Sequence, residues 1–449
     1  MNKIFFSFLI VLLVLLGGSS FDNKTGIWKG GEDEKIRITE LETKQKQLID
    51  IEQVYSSENV YKKEILLEKK IILSKPRKNS EWKTTGLNDQ NYLGNLYSSG
   101  TKKVFLKKKI GKDKFSNSKN ITSLLMFNDN IIFSDDTGTI FNINSFGKVN
   151  WKKNIYKKIY KKIYKNLTFS IYRNTIYIAD NIGFIYAINT TNGKVLWIKN
   201  HGVPIKSKIK IFDDKIVLID QDNKIFCLNS KDGSTIWSIL AITSFIKSQK
   251  LLPLAISKTG NLITITSSGD LFKIDMNDGK IQWHANTLSS LLADATDFFE
   301  SSEIVITDNE VIFSAVSSTF SYNLSNGSIN WESNVSSIDT PIISKNNIFF
   351  VTENGFFIIM NKDTGKIISS QNIFSVLKKK KTKTSVVGFV MGSGKLYSLT
   401  SNGYLIVSSA LSGKPEYSKK IGDTIASSPV INDGNLYILT EKSRIIGFK

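Results

Sequence analysis

The sequence predicts an all-β fold, an eight-bladed β-propeller with four-stranded antiparallel blades, and three observations carry that prediction. Strand hairpins open at Ile131, Ile176, Ile216, Leu262, Val311, Ile348, Leu396 and Leu436. A turn glycine closes the first seven units at Gly147, Gly193, Gly233, Gly279, Gly327, Gly365 and Gly413, at spacings of 46, 40, 46, 48, 38 and 48 residues. Four residues beyond these glycines stand Trp151, Trp197, Trp237, Trp283 and Trp331, then Ser369 and Tyr417 in the last two copies. A period of this length with only strand patterns inside it suits a propeller blade; a helical solenoid would repeat its apolar residues every 3.6 positions.

The second unit shows how each blade arises. Apolar residues alternate at Ile176 and Ile178, and again at Ile185 and Ala187, with Asp180, Asn181 and Gly183 between the runs. Alternation with period two builds a strand buried on one face, and the Asx–Gly cluster turns the chain back as a hairpin. A second turn at residues 189–193 then feeds Lys194, Val195, Leu196 and Trp197. Asn closes such a turn on its own backbone, and Gly accepts positive φ without a steric clash. The eighth copy, residues 435–448, reaches the chain end before its fourth strand. An open ring would expose an unpaired edge, so residues 104–110, VFLKKKI, are predicted to close it, with Phe105 in the aromatic position.

In chain order, residues 1–20 read as an export signal: Lys3, then apolar residues 4–16 interrupted only by Ser7, then Gly17, Gly18, Ser19 and Ser20. Residues 21–80 are charged and lack the repeat, which predicts a tether with too few apolar residues for a core of its own. Residues 81–449 form the propeller, with Trp82 in its lead-in. The segment 152–165 places Ile155, Ile159, Ile163 and Tyr156, Tyr160, Tyr164 four apart among lysines. Two readings stay open there, a membrane-surface helix giving peripheral membrane contact or an extended surface strand and loop. The lysine run 378–383 suits a solvated loop.

The charge balance, 60 basic against 40 acidic residues and a net +20, raises the question of nucleic acid. The excess is lysine in a chain rich in Ile and Asn, without an arginine stripe, so no nucleic-acid partner is expected. Cys227 is the one cysteine in the sequence, which rules out an intramolecular disulfide. Catalytic chemistry is thin: His201 and His284 occupy unrelated blade positions, and no HExxH, GxSxG or Walker pattern occurs. Carboxylates such as Asp135, Asp136, Asp213, Asp214 and Asp222 fall where turn formation already accounts for them. The reading is therefore non-enzymatic, with no catalytic, cofactor-binding or metal-binding residues.

The blade endings AINTTNGKVLW, CLNSKDGSTIW, KIDMNDGKIQW and SYNLSNGSINW, which start at Ala187, Cys227, Lys273 and Ser321, resemble the tryptophan-docking repeat of the pyrroloquinoline-quinone (PQQ) propeller superfamily. The resemblance covers residues 82–449 and implies that each Trp packs on the turn of the next blade. One branch comprises quinoprotein alcohol dehydrogenases, which hold PQQ and Ca²⁺ in the funnel, commonly beside a disulfide of adjacent cysteines that this chain cannot form. The N-terminal context, NSEWKTTGLNDQNYLGNL before the closing strand, resembles instead the BamB branch, scaffold lipoproteins of the β-barrel assembly machinery. That likeness implies a cofactor-free monomer within a larger complex, in the periplasm at the outer membrane. Its partners would be the BamA periplasmic domains and unfolded outer-membrane clients. The sequence LLGGSSF lacks the branch's lipobox cysteine, which puts a lipid anchor in doubt. A quinoprotein dehydrogenase or small-ligand binder is the alternative, and an envelope adhesion propeller a third.

In the BamB branch BamA is held by a hydrophobic and basic loop and by an acidic loop entering the next blade. The Trp237 and Trp283 landmarks place these at residues 244–250, with Phe245, Ile246 and Lys247, and at residues 294–301, with Asp297 and Glu300 after Leu291 and Leu292. The competing reading makes Phe245 and Ile246 the inner strand of a blade.

Overall fold

The computed structural model describes residues 21–22, 27–28, 32–51, 61–115, 122–241, 248, 250–287, 300–377, 384–425 and 427–449. Eight four-stranded antiparallel sheets follow one another along the chain. Blade 1 runs through Leu125–Phe127, Asn130–Ser134, Thr139–Asn144 and Val149–Asn154. The remaining blades repeat that order, and the first strands of neighbouring blades touch, which puts them innermost around the axis. The middle strands are buried almost throughout, IIFS and FIYAI among them, whereas the fourth strands are largely exposed. The core thus lies in the layers between blades, as the period-two pattern requires. The hairpin joining the first two strands uses left-handed residues in tandem, Asn128 and Asp129 in blade 1 and Asp213 and Asp214 in blade 3. Such primed turns match the strand twist and favour Asn and Asp.

Blade 8 is closed as expected: Val104–Lys109 pairs antiparallel with Arg444–Phe448. The aromatic assignment within that strand is corrected. A register shift between Val104 and Leu106 sets Leu106 opposite Gly447, the position that Trp197 holds opposite Ala187. Leu106 is also the side chain a Cβ on Gly147 would meet, at 2.9 Å. Phe105 points the other way and packs edge-on to Tyr437 at 5.7 Å. A bulge reverses the facing of the residues before it, so alignment by composition misplaced the ring by one position.

Each tryptophan is fixed at both ends. The Nε1 groups of Trp151, Trp197, Trp237, Trp283 and Trp331 donate to the carbonyls of Thr190, Ser230, Met276, Leu324 and Lys362, each in the following blade. The ring then lies on that blade's turn glycine: a Cβ added to Gly279 would sit 2.8 Å from Trp237 Cδ2, and Gly279 holds φ 77°. Only glycine meets both demands there. In blade 6 the position is Ser369, fully buried although small. The extended segment around Ile65 bridges to Ser370, and its carbonyl accepts from Ser369 Oγ at 3.2 Å. In blade 7, Tyr417 reaches the hydroxyl of Thr101 at 2.8 Å.

The stretch between residues 74 and 99 makes a circuit of the ring. The Asn79 carbonyl accepts from Asp433 N in blade 8, and Trp82 exchanges both backbone bonds with Met126 in blade 1. Lys83 O accepts from Ile171 N in blade 2, and Thr84 Oγ1 donates to Ile209 O at blade 3. Asp89 O and Gln90 O accept from Ile256 N and Ile306 N in blades 4 and 5. Ser74 then holds Ser344 in blade 6, Leu96 bonds Met391 and Ser393 in blade 7, and Ser99 returns to Gly434 in blade 8. All eight innermost strands are therefore bonded to one N-terminal segment, on the face that carries the turns between first and second strands.

A second compact unit comprises the N-terminal residues to 54 with residues 155–163. It contains the helix α1, Glu32–Ile51, where a tether was expected, and a two-residue strand pair, Phe21–Asp22 with Ile27–Trp28. Arg37 holds Glu34 at 2.6 Å, and the Tyr160 hydroxyl donates to the same carboxylate at 3.1 Å. Ile155, Tyr160 and Ile163 are buried around a single 3₁₀ turn, Lys158–Tyr160. Ile155, Tyr160 and Ile163 therefore face protein, which corrects the membrane-helix reading of this segment; Lys152, Lys153, Lys158, Lys161 and Lys162 are exposed, and Lys165 is buried. No helix among the described residues is long and apolar enough to cross a membrane.

Candidate partner-binding site

The described ends of the loops leading from one blade into the next lie on the face opposite the N-terminal circuit. Phe245, Ile246, Lys247, Leu291, Leu292 and Asp297 lie outside the described residues, so their surroundings are not stated. Glu300 is placed. Its carboxylate pairs with Lys250 at 2.8 Å, and both side chains are near two-fifths exposed. The two expected loops thus converge at their described ends, with opposite charges in contact. The Glu300 carbonyl accepts from Val316 N, and Ser301 bridges to Ala315, which fixes the end of the second loop on blade 5. An exposed pair of this kind orients a surface more than it stabilises one.

Nearer the axis, Lys208 pairs with the buried Glu303 at 2.9 Å. Lys210, fully buried, is the group that fastens the circuit: its ammonium donates to Thr85 O, Asn88 O and Asn91 Oδ1 at 2.9, 2.6 and 2.7 Å. Asn91 in turn donates to Leu254 O and Ile304 O, so one amide ties three blades together. Nothing in the local sequence marks Lys210. It sits in an ordinary strand, and its acceptors lie more than a hundred residues away.

Burial pushes the ammonium groups of Lys165, Lys206 and Lys210 down to about 8. The unfolded chain keeps those protons up to about pH 10.4, so between these values it binds more protons than the folded protein and stability rises with pH. The buried Cys227 thiol, pushed up to about 12, opposes this above its unfolded value of about 8.5. Three lysines outweigh one thiol. Above about pH 10 the balance turns, because burial also raises Tyr437 to about 12. The melting temperature is therefore expected to peak closer to pH 10 than to pH 7. A steady fall from pH 7 upward in a calorimetric series would contradict this.

Both histidines are held by turn carboxylates. His201 meets Asp220 at 2.8 Å and stacks on Phe226 at 4.2 Å; His284 meets Asp270 at 3.0 Å beside Phe272. Asp270 is buried, which works against its charge, yet bonds from Ser268, His284 and Asn286 hold it below the usual carboxylate range. Asp135, Asp180 and Asp220 cap the corresponding turns by accepting successive backbone N–H groups. Among the described residues no group of three His, Cys, Asp or Glu side chains converges to hold a metal.

A family model described as outer membrane protein assembly factor BamB matches residues 136–371 and 361–449. The assembly factor BamB of Moranella endobia (strain PCIT) is 21% identical over 295 residues, 63% of this chain and 63% of its own length, so the chain spans less than two thirds of that relative. Its counterpart from Yersinia pestis is 22% identical over 281 residues, 61% of this chain and 68% of the relative. The crystal structure of BamB from Moraxella catarrhalis matches with a TM-score of 0.62 at 12% identity, over 76% of this chain and 98% of that one. A europium-containing methanol dehydrogenase matches equally, with a TM-score of 0.62 at 11% identity, over 82% and 89%. At such identities the likeness to solved structures speaks for the fold alone.

Proposed function

The chain belongs to the family of the outer membrane protein assembly factor BamB, and on that premise we propose that it is a non-enzymatic periplasmic scaffold that binds a BamA subunit and assists assembly of outer-membrane β-barrels. The family match across residues 136–449 carries this reading. Export by residues 1–20 would deliver the chain to the periplasm, and its partner would hold it at the outer membrane. The convergence of Lys250 and Glu300 supports a composite contact, with an apolar centre at Phe245 and Ile246 flanked by Lys247 and Asp297. Apolar groups at an interface centre carry most of its binding energy.

Changing Phe245 and Ile246 together to Ser is expected to abolish BamA capture from envelope extracts, while circular dichroism and melting stay unchanged. Loss of fold along with capture would instead make both residues part of a blade. The fold shared with methanol dehydrogenase keeps a quinoprotein as the second reading. It predicts that adding PQQ and Ca²⁺ to purified protein produces bound quinone absorbance, and the scaffold reading predicts none.

A further inference from the structure

Positive charge is unevenly spread around the ring. The outer strands of blades 7, 8 and 1, Pro415–Lys420, Val104–Lys109 and Val149–Asn154, carry seven lysines and one glutamate. Those of the other five blades have Lys199 and Glu332 as their only Lys, Arg, Asp or Glu. Glu416, the one acid in the basic strands, is held by Lys395, and Asp423 beside blade 8 is held by Arg444 at 2.6 Å. None of the seven lysines forms an ion pair among the described residues.

The sheet register sets these lysines at one level. Trp151, Leu106 and Tyr417 hold the corresponding position, opposite Asn142, Gly447 and Val407. The lysines follow it, at residues 152–153, 107–109 and 419–420. All but Lys419 are exposed, and Lys419 donates to Thr101 O at 3.3 Å. Because strands alternate in direction, a fourth strand ends on the face away from the hairpins between first and second strands. The lysines therefore lie at the rim of the face that carries Lys250 and Glu300. They form one arc over three neighbouring blades, and blades 4 and 5 stand across the ring from it.

Guarding sheet edges does not account for the arc, since the outer strands of blades 3, 4 and 6 have no Lys, Arg, Asp or Glu at all. We propose that the arc is a membrane-facing rim, whose lysines rest on a bilayer surface bearing anionic phospholipid while the BamA contact occupies the far side of the same face. A lysine ammonium is a hydrated point charge on a flexible stem, so it needs no fixed geometry and suits a fluid layer of phosphates. A folded acidic partner is better met by the planar fork of arginine, and these three strands contain none. Attraction to such a surface adds up over the charges and fades within a Debye length, about 10 Å at 0.1 M salt. No inserted helix is needed. The scaffold reading enters only in placing the chain beside a membrane.

The test uses the full chain with vesicles of phosphatidylcholine alone and of phosphatidylcholine mixed equally with phosphatidylglycerol. Acylation of lysine amines by an N-hydroxysuccinimide ester, read by mass spectrometry, should slow at Lys107, Lys109, Lys152 and Lys153 with the mixed vesicles only, and recover as salt is raised. The variant Lys107→Glu, Lys109→Glu, Lys152→Glu, Lys153→Glu keeps its edges charged, so its melting temperature should match wild type while its partition into mixed vesicles falls by about tenfold or more. The comparison variant changes Lys194, Lys231, Lys280 and Lys366 to Glu, all exposed in turns on the opposite face. It removes the same charge, and its partition should stay within about threefold of wild type. Equal loss in both variants would reduce the effect to net charge and overturn the proposal, as would equal protection by neutral vesicles. Loss of BamA capture by the arc variant with vesicle partition unchanged would also overturn it, by making the arc a protein contact. Wild-type protein that shows the arc protection but captures no BamA would keep the membrane rim and remove the scaffold reading.

Discussion

A chain ending at Gly434 is expected to be lost to aggregation instead of giving a monomer with a cooperative melt. The missing residues include Asn435–Leu439 and Arg444–Phe448, the middle of blade 8. Their removal leaves Val104–Lys109 without a partner, together with the backbone bonds that Lys103 and Lys449 exchange at 2.8 and 2.9 Å. Two open edges then face each other across a gap, at Val430–Asn432 on one side and Val104–Lys109 on the other. Unpaired edges of this length recruit other chains. Size-exclusion chromatography with scanning calorimetry reads the result, and a monomeric, cooperatively melting truncation would show that the ring does not depend on this closure.

The second large effect is expected from Trp237→Ala, a loss of about 3–5 kcal/mol in the free energy of unfolding. Trp237 is 9% exposed, rests on Gly279 and donates to Met276 O at 3.0 Å, so its removal opens a cavity between blades 3 and 4 and leaves a carbonyl unpaired. Tyr417→Ala should cost much less, because that ring is 43% exposed and rests on a hydroxyl contact with Thr101. Denaturant unfolding of the two variants provides the comparison. Equal midpoints would mean that the shared position does not lock the blades.

The blades were legible because their causes are local. Alternation at Ile176, Ile178, Ile185 and Ala187, a turn ending in Gly and a Trp four residues later all fall within one repeat; four more repeats carry the same turn glycine and Trp, and the last three keep the hairpin pattern. Ring closure was legible from an omission, since a blade short of one strand needs that strand from elsewhere. The candidate contact was legible only as far as a resemblance could place loops by the Trp237 and Trp283 landmarks. The structure adds the Lys250–Glu300 pair that joins their ends.

Long-range pairing decided the rest. The sequence by itself determined the number of blades, their strand order and the residues that dock one on the next, because period-two burial and turn chemistry act over a few residues. Tertiary structure alone decided that Leu106 and not Phe105 faces Gly147, since a bulge displaces the facing. It decided that the Ile65 carbonyl accepts from Ser369, and that Lys210 fastens the N-terminal circuit through Thr85, Asn88 and Asn91. Apart from the Asn91 amide, these contacts join residues more than a hundred positions apart through backbone carbonyls, and a carbonyl is the same in every residue. No side-chain pattern along the chain could encode them; only the ring, once formed, brings the partners together.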